Sequence, residues 1–175
     1  MPIYVSSGDV TKTVDVDAIS TLINLEGDWF GGVDFAIRRV AGDQYHKQVE
    51  QVLEKQGLVD GQVVVARGNR HHNQEGSFNN VIFVCDDLKQ PLRNLVYVAL
   101  QKARELGYKS IALPLMRTGV MLGKVEPDAH TVVVEMQKAF QKFFAETGSS
   151  ELDVFVIVYK DTEALTYLRE NLNKN

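Results

Sequence analysis

Val81-Ile82-Phe83-Val84-Cys85 is an unbroken run of five apolar residues, and Val63-Val64-Val65 is a shorter one. A strand with one wet face alternates apolar with polar side chains, so a strand without alternation has to be covered on both faces. Both runs are too short for helices and rich in β-branched or aromatic residues. Between and beyond them the apolar spacing changes to three and four residues. Leu92, Leu95, Val96, Ala99, Leu100, Ala103 and Leu106 form one such stripe, opened by Pro91 and ended by Gly107. Val133, Met136, Phe140, Phe143 and Phe144 form another, begun by Pro127 and broken by Gly148-Ser149-Ser150. Buried strands alternating with amphipathic helices dictate an α/β fold: a largely parallel sheet with helices on both faces.

Further elements are expected from the same rules. Strands are predicted at Ile3–Val5, Val14–Ile19, Gln62–Ala66, Ser110–Leu115 and Leu152–Tyr159. Helices are predicted from the glycines at 31 and 32 to about Gly42, over Gln44–Gln56 with Gly57 as a stop, and from an Asp161 cap to about Leu172. Gly68–Asn80 is polar and irregular and reads as an exposed loop. No linker, repeat or low-complexity tract divides the 175 residues, so one domain over 1–175 is expected.

The formal net charge of −4 lacks the basic face that a general binder of nucleic acid or membrane surface requires. The single cysteine, Cys85, forms no internal disulfide and sits inside an apolar run, where it reads as buried filler rather than a nucleophile. One cysteine, no signal peptide at Met1-Pro2-Ile3-Tyr4 and no apolar run of membrane-spanning length lead to a cytoplasmic expectation. His71-His72, flanked by Asn69 and Asn73, has no Cys or acidic partner at ligand spacing, so an exposed loop and no metal site are expected. His46 and His130 fall on predicted helices without partners and read as surface residues.

One stretch points to chemistry. Asn24-Leu25-Glu26-Gly27-Asp28-Trp29-Phe30-Gly31-Gly32 is a polar, glycine-containing loop that runs straight into an amphipathic helix at Val33-Asp34-Phe35-Ala36-Ile37. A glycine turn opening a helix suits an anion, because free N–H groups and the positive end of the helix dipole point the same way. A second loop, Met116-Arg117-Thr118-Gly119-Val120-Met121-Leu122-Gly123, follows another predicted strand. In parallel sheets ligands sit outside the carboxyl ends of the strands, and both loops should reach that edge.

Four stretches in this order resemble the macro domain family. Gly8-Asp9-Val10-Thr11 is similar to G-D-I-T, and Val16-Asp17-Ala18-Ile19 running to Asn24 is similar to V-D-A-I-V-N-A-A-N. Gly31-Gly32-Val33-Asp34-Phe35-Ala36-Ile37 is similar to G-G-V-D-x-A-I. Ser110-Ile111-Ala112-Leu113-Pro114, followed by Thr118-Gly119-Val120, is similar to S-I-A-F-P followed by T-G-I/V. The resemblance covers nearly the whole chain and implies a three-layer α/β/α sandwich with a central mixed, largely parallel sheet. It implies ADP-ribose, or an ADP-ribosylated protein, as the partner, with no further cofactor.

Position by position, the resemblance implies that Asp9 accepts a hydrogen bond from the adenine amino group beside the Val10 N–H, with Tyr159 against the ring. Gly31, Gly32 and Val33 would face the diphosphate from one side, and Thr118, Gly119, Val120 and Met121 from the other. Asn24 would hold a hydroxyl of the distal ribose, and Asp34 would stand beside the anomeric carbon. Some members that hydrolyse ADP-ribosyl esters or ADP-ribose 1″-phosphate carry an Asn and an Asp at these two positions, which makes Asn24 and Asp34 the catalytic candidates. A non-catalytic nucleotide-binding module is the alternative. It draws on Thr21, which replaces the family's first asparagine, and on Trp29 and Phe30, which replace glycines. Those two aromatics would stack on the ribose, narrow or close the cleft, or form a partner-binding patch. Arg117 stands where a small residue is usual and would pair with an extra phosphate or point to solvent. Each site residue also has a plain role: Asp34 as a helix-dipole acid, Asn24 and Asp9 as turn residues, Tyr159 as a core aromatic.

Overall fold

The computed structural model describes residues 2–27, 31–148 and 151–172. The chain runs β1 (Ile3–Ser7), β2 (Val16–Ile23), α1 (Gly32–Ala41), α2 (Gln44–Gln56), β3 (Val63–Ala66), β4 (Phe78–Cys85), α3 (Leu92–Glu105) and β5 (Ser110–Leu113). A single 3-10 turn at Gly119–Met121 precedes α4 (Ala129–Thr147), β6 (Asp153–Val158) and α5 (Thr162–Leu172). The six strands lie in the order β1-β6-β5-β2-β4-β3. All neighbours pair in parallel except β3, which runs antiparallel on the edge beside β4. The sheet is therefore mixed and largely parallel.

The side-chain alternation of β2 shows why there are three layers. Ala18 and Leu22 join one core with the apolar stripes of α3, α4 and α5. Ile19 and Ile23 point the other way, into a second core with Ile37 and Val40 of α1 and Tyr45 and Val49 of α2. Phe83 and Cys85 of β4 belong to that second core, while Ile82 and Val84 belong to the first. The run at 81–85 is thus a strand sandwiched between two helical layers, as its composition requires, whereas in the edge strand β3 Val64 and Ala66 are buried and Val63 and Val65 only half-buried.

β2 and β4 each reach three or more residues past an expected limit, for one reason. β2 begins at Val16 and continues to Ile23, past the expected end at Ile19, because Ser20 and Thr21 are polar yet buried. The Ser20 hydroxyl donates to the Ile82 carbonyl at 2.9 Å, so its burial leaves no unpaired group. β4 likewise begins at Phe78, inside the stretch that reads as a loop. Asn79 Oδ1 accepts from the Arg70 N–H at 2.9 Å, and Asn80 Nδ2 donates to the Asp17 carbonyl at 3.1 Å. These asparagines tie neighbouring backbone to the sheet instead of ending the strand.

Among the described residues no helix is long and apolar enough to cross a membrane. Cys85 is fully buried, and burial, with Asp60 nearby, pushes its thiol up to about 11. At pH 8 the folded protein should therefore resist iodoacetamide, whereas urea-unfolded protein should take up one equivalent within the same time. Mass spectrometry decides it: labelling of the folded protein at the unfolded rate would contradict the placement of Cys85.

Candidate functional site

Because β1, β6, β5, β2 and β4 are parallel, the loops leaving their carboxyl ends emerge along one edge of the sheet. A cleft of about 800 Å³ opens there. Asp9 and Val10, Gly31 to Asp34, Arg117 to Gly119, Met121 and Tyr159 all line it. Residues from four separate loops, up to 150 positions apart in sequence, thus converge on one cavity. Val120 lies between Gly119 and Met121 in the 3-10 turn. Trp29 and Phe30 lie outside the described residues.

The first wall is the start of α1. Gly31 occupies its N-cap position at φ 122°, a conformation that L side chains rarely adopt. A Cβ there would meet nothing within 4 Å, so backbone conformation rather than space demands glycine. Among the described residues no side chain caps α1, and the opening N–H groups of a helix without such a cap go to a ligand or to water. The opposite wall is the loop after β5, where Gly119 takes φ 68° and the Thr118 hydroxyl donates to the Leu115 carbonyl at 3.1 Å.

Asp9 and Tyr159 close the far side. Asp9 Oδ1 accepts from the Thr11 N–H at 2.8 Å and the Thr11 hydroxyl at 2.6 Å, so this side chain shapes its own turn while bordering the cleft. Tyr159 follows β6 and is 66% exposed, which overturns a core role for it. The Lys160 ammonium lies 5.2 Å from its ring centroid. The charged lining is of both signs: Asp9, Asp34 and Asp161 face Arg39 and Lys160. Phe35, Ala36 and Arg39 extend the α1 wall, a contribution that the motif alone does not indicate. Its signal was present in the helical spacing, since Gly32, Phe35 or Ala36, and Arg39 recur one turn apart.

Asp34 is buried, and its Oδ1 meets Nε2 of an equally buried histidine, His46 of α2. This corrects the reading of His46 as a surface residue. The short link at Gly42 and Asp43 folds α2 back so that its first turn passes behind α1, and His46 shares the inward face of α2 with Tyr45 and Val49. His130 is exposed, as expected, but stacks on Tyr167 at 4.0 Å. The exposed His71 and His72 sit in a turn where the His72 N–H donates to the Asn69 carbonyl at 3.0 Å.

Among the described residues the cleft lining does not include Asn24, whose Oδ1 accepts from the Glu26 N–H at 3.0 Å, as a turn asparagine does. One expectation is not met in geometry. Arg117 borders the cleft, but its side chain is 1% exposed, so its guanidinium is open neither to an extra phosphate nor to solvent. It is buried between Asp86 and Glu126. Those carboxylates lie 31 positions before and 9 positions after it, so no local pattern announces the pairing.

A family model described as "Macro domain" matches residues 23–132. An uncharacterised protein of Thermococcus kodakarensis is 28% identical over 176 residues, covering 93% of this chain and 94% of its own length. An O-acetyl-ADP-ribose deacetylase of Citrobacter koseri is 29% identical over 172 residues, covering 95% of this chain and 93% of its own. The crystal structure of a Trypanosoma brucei macrodomain in complex with ADP-ribose superposes with a TM-score of 0.76 over 98% of this chain and 69% of that one. At 22% identity, that likeness is one of fold.

The Asp34–His46 contact gives a direct test. Replacing His46 with alanine leaves a buried carboxylate without its imidazole and should cost about 2 kcal/mol or more of unfolding free energy. His130→Ala, on the exposed side of α4, should stay within about 0.5 kcal/mol of wild type. Urea unfolding of the two variants would check this; equal, small losses would show that His46 carries no such role.

Proposed function

Because the chain belongs to the macro domain family, we propose that its cleft binds ADP-ribose and cleaves a derivative of it. The derivative is a mono-ADP-ribosyl ester on protein or ADP-ribose 1″-phosphate. One observation carries the reading. Two glycine-containing loops, at Gly31–Val33 and Thr118–Gly119, form facing walls of one cavity, with Asp9 and Tyr159 on its remaining side. A diphosphate needs several N–H donors, and glycine loops at helix starts supply them at little steric cost. In this reading Asp9 and the Val10 N–H hold the adenine edge and Tyr159 covers the ring. Gly32, Val33 and the 118–121 loop hold the diphosphate.

The reaction adds water at the anomeric carbon. The bond from that carbon to the ester or phosphate oxygen breaks, and the products are ADP-ribose and a free carboxylate or inorganic phosphate. Asp34 orients or deprotonates the water. Its burial and its contact with His46 support that role, since they fix one carboxylate oxygen while the residue borders the cleft. The Citrobacter koseri relative, an O-acetyl-ADP-ribose deacetylase by name, supports an ADP-ribose derivative as the substrate class.

A second reading, a binding module without turnover, draws on the turn bond of Asn24 and on Thr21 in the place of an asparagine. Turnover of mono-ADP-ribosylated protein and of ADP-ribose 1″-phosphate separates the two. Asp34→Ala should lower kcat by about 10²-fold or more and leave the ADP-ribose Kd within about threefold. Binding without product from either substrate would leave the module. A calorimetric titration with no heat from ADP-ribose would remove both readings.

Adenine recognition has its own check. Asp9→Ala removes an acceptor from the base and should weaken ADP-ribose by about tenfold or more. Ribose 5-phosphate, which has no base, should bind the variant and the wild type alike. A loss of equal size for both ligands would place Asp9 in loop folding rather than base contact.

A further inference from the structure

Arg117 sits at φ 57°, in the left-handed region that non-glycine residues seldom occupy, immediately before the cleft-lining Thr118 and Gly119. Its side chain accounts for that conformation. Nε and Nη2 donate to the two oxygens of Asp86 at 3.0 and 2.8 Å, and Nη1 donates to both oxygens of Glu126 at 3.0 Å each. The three side chains are 1%, 0% and 3% exposed. Burial works against the charged guanidinium, but the bonds and charge of Asp86 and Glu126 outweigh it and raise its pKa above the ordinary value.

Each carboxylate is itself anchored to the frame. The Asp86 N–H donates to the Ile23 carbonyl at 2.7 Å, at the end of β2, and Asp86 Oδ1 accepts from the Leu88 N–H at 2.9 Å. Glu126 Oε1 accepts from the Leu92 N–H at 2.9 Å, at the start of α3. The Glu126 carbonyl accepts from the Gly123 N–H at 2.9 Å, which closes the far end of the same loop. One guanidinium therefore ties the cleft loop to the ends of β2 and β4 and to the start of α3. A planar five-donor fork suits two carboxylates at once; an ammonium does not.

We propose that Arg117 is a positioning residue: it pins the main chain of Thr118–Met121 in its ligand-ready conformation, so that recognition of a diphosphate depends on a side chain that does not reach it. The consequence for ligand binding rests on the nucleotide reading above; the pinning does not. A merely structural ion cluster would affect stability and all ligands alike. A pin on this loop affects the groups that the loop holds.

The test uses Arg117→Lys and the charge-free R117M/D86N/E126Q, which keeps an acceptor at positions 86 and 126 and supplies a foldable background should the lysine variant unfold. Two measurements are made on the whole chain. Amide hydrogen exchange of unliganded protein should be at least tenfold faster at residues 118–121 in either variant and unchanged in β2 and β4. The Kd of ADP should rise at least tenfold while that of adenosine stays within twofold. Unchanged exchange at 118–121, or equal losses for ADP and adenosine, would overturn the proposal. Wild-type protein that bound neither ADP nor ADP-ribose would instead overturn the nucleotide reading, and the exchange measurement would still decide the pinning.

Discussion

The pairing of β2 with β4 on one side and β5 on the other is the constraint from which the rest follows. Ala18 is in register with both Asn80 and Ile111, and Ile19 with both Val81 and Ala112. Parallel neighbours cannot be joined by a tight turn, so the chain has to travel back along the sheet between strands, and helices make that journey. Those helices cover both faces, and each fully buried aliphatic side chain beneath them contributes about 1.5–3 kcal/mol. The same geometry sends every loop after a parallel strand to one edge. The cleft is thus a by-product of parallel pairing: Asp9, Gly31, Thr118 and Tyr159 meet because β1, β2, β5 and β6 point the same way.

Behind the cleft walls stand two sets of buried charged or ionisable groups. Asp34 and His46 lie under the α1 wall, and Arg117, Asp86 and Glu126 lie under the loop after β5. Removing such groups from water is costly unless every partner is in place, so they are weak contributors to stability as such. Their effect is to define geometry. A buried charge with fixed partners has one arrangement of low energy, and the backbone attached to it inherits that arrangement. Both sets are anchored to elements deeper in the fold: His46 to the inward face of α2, Asp86 and Glu126 to backbone at the ends of β2 and α3.

What could be read in the sequence divides along the same line. The apolar run at 81–85 required two covering layers, and the glycine loops marked the edge where the cleft opens, because both signals are local. Ser20-Thr21 and Phe78-Asn79-Asn80 misled the strand limits because their polar groups are satisfied by distant backbone, such as the Ile82 carbonyl and the Arg70 N–H. His46 and Arg117 misled further. A histidine on a helix or an arginine in a loop reads as solvated unless its partner is known, and the partners here lie 9 to 31 positions away. Asn24 carries a signal that is local: a turn asparagine accepts from a backbone N–H two positions on, and its Oδ1 accepts from the Glu26 N–H.

The net charge of −4 is compatible with an anionic ligand for a physical reason. Main-chain N–H groups at a helix start and in a turn carry positive partial charge whatever the formal charge of the chain, and they act at short range inside a cleft where water is reduced. Side-chain cations would add attraction but little geometric selection. Here the one guanidinium within the loop after β5 is turned inward, toward two carboxylates, and the cleft-lining cations Arg39 and Lys160 are offset by Asp9, Asp34 and Asp161. Selectivity for a diphosphate over a simple anion would then rest on the spacing between the start of α1 and the loop after β5. The proposed pin at Arg117 would act on that spacing from beneath the loop after β5.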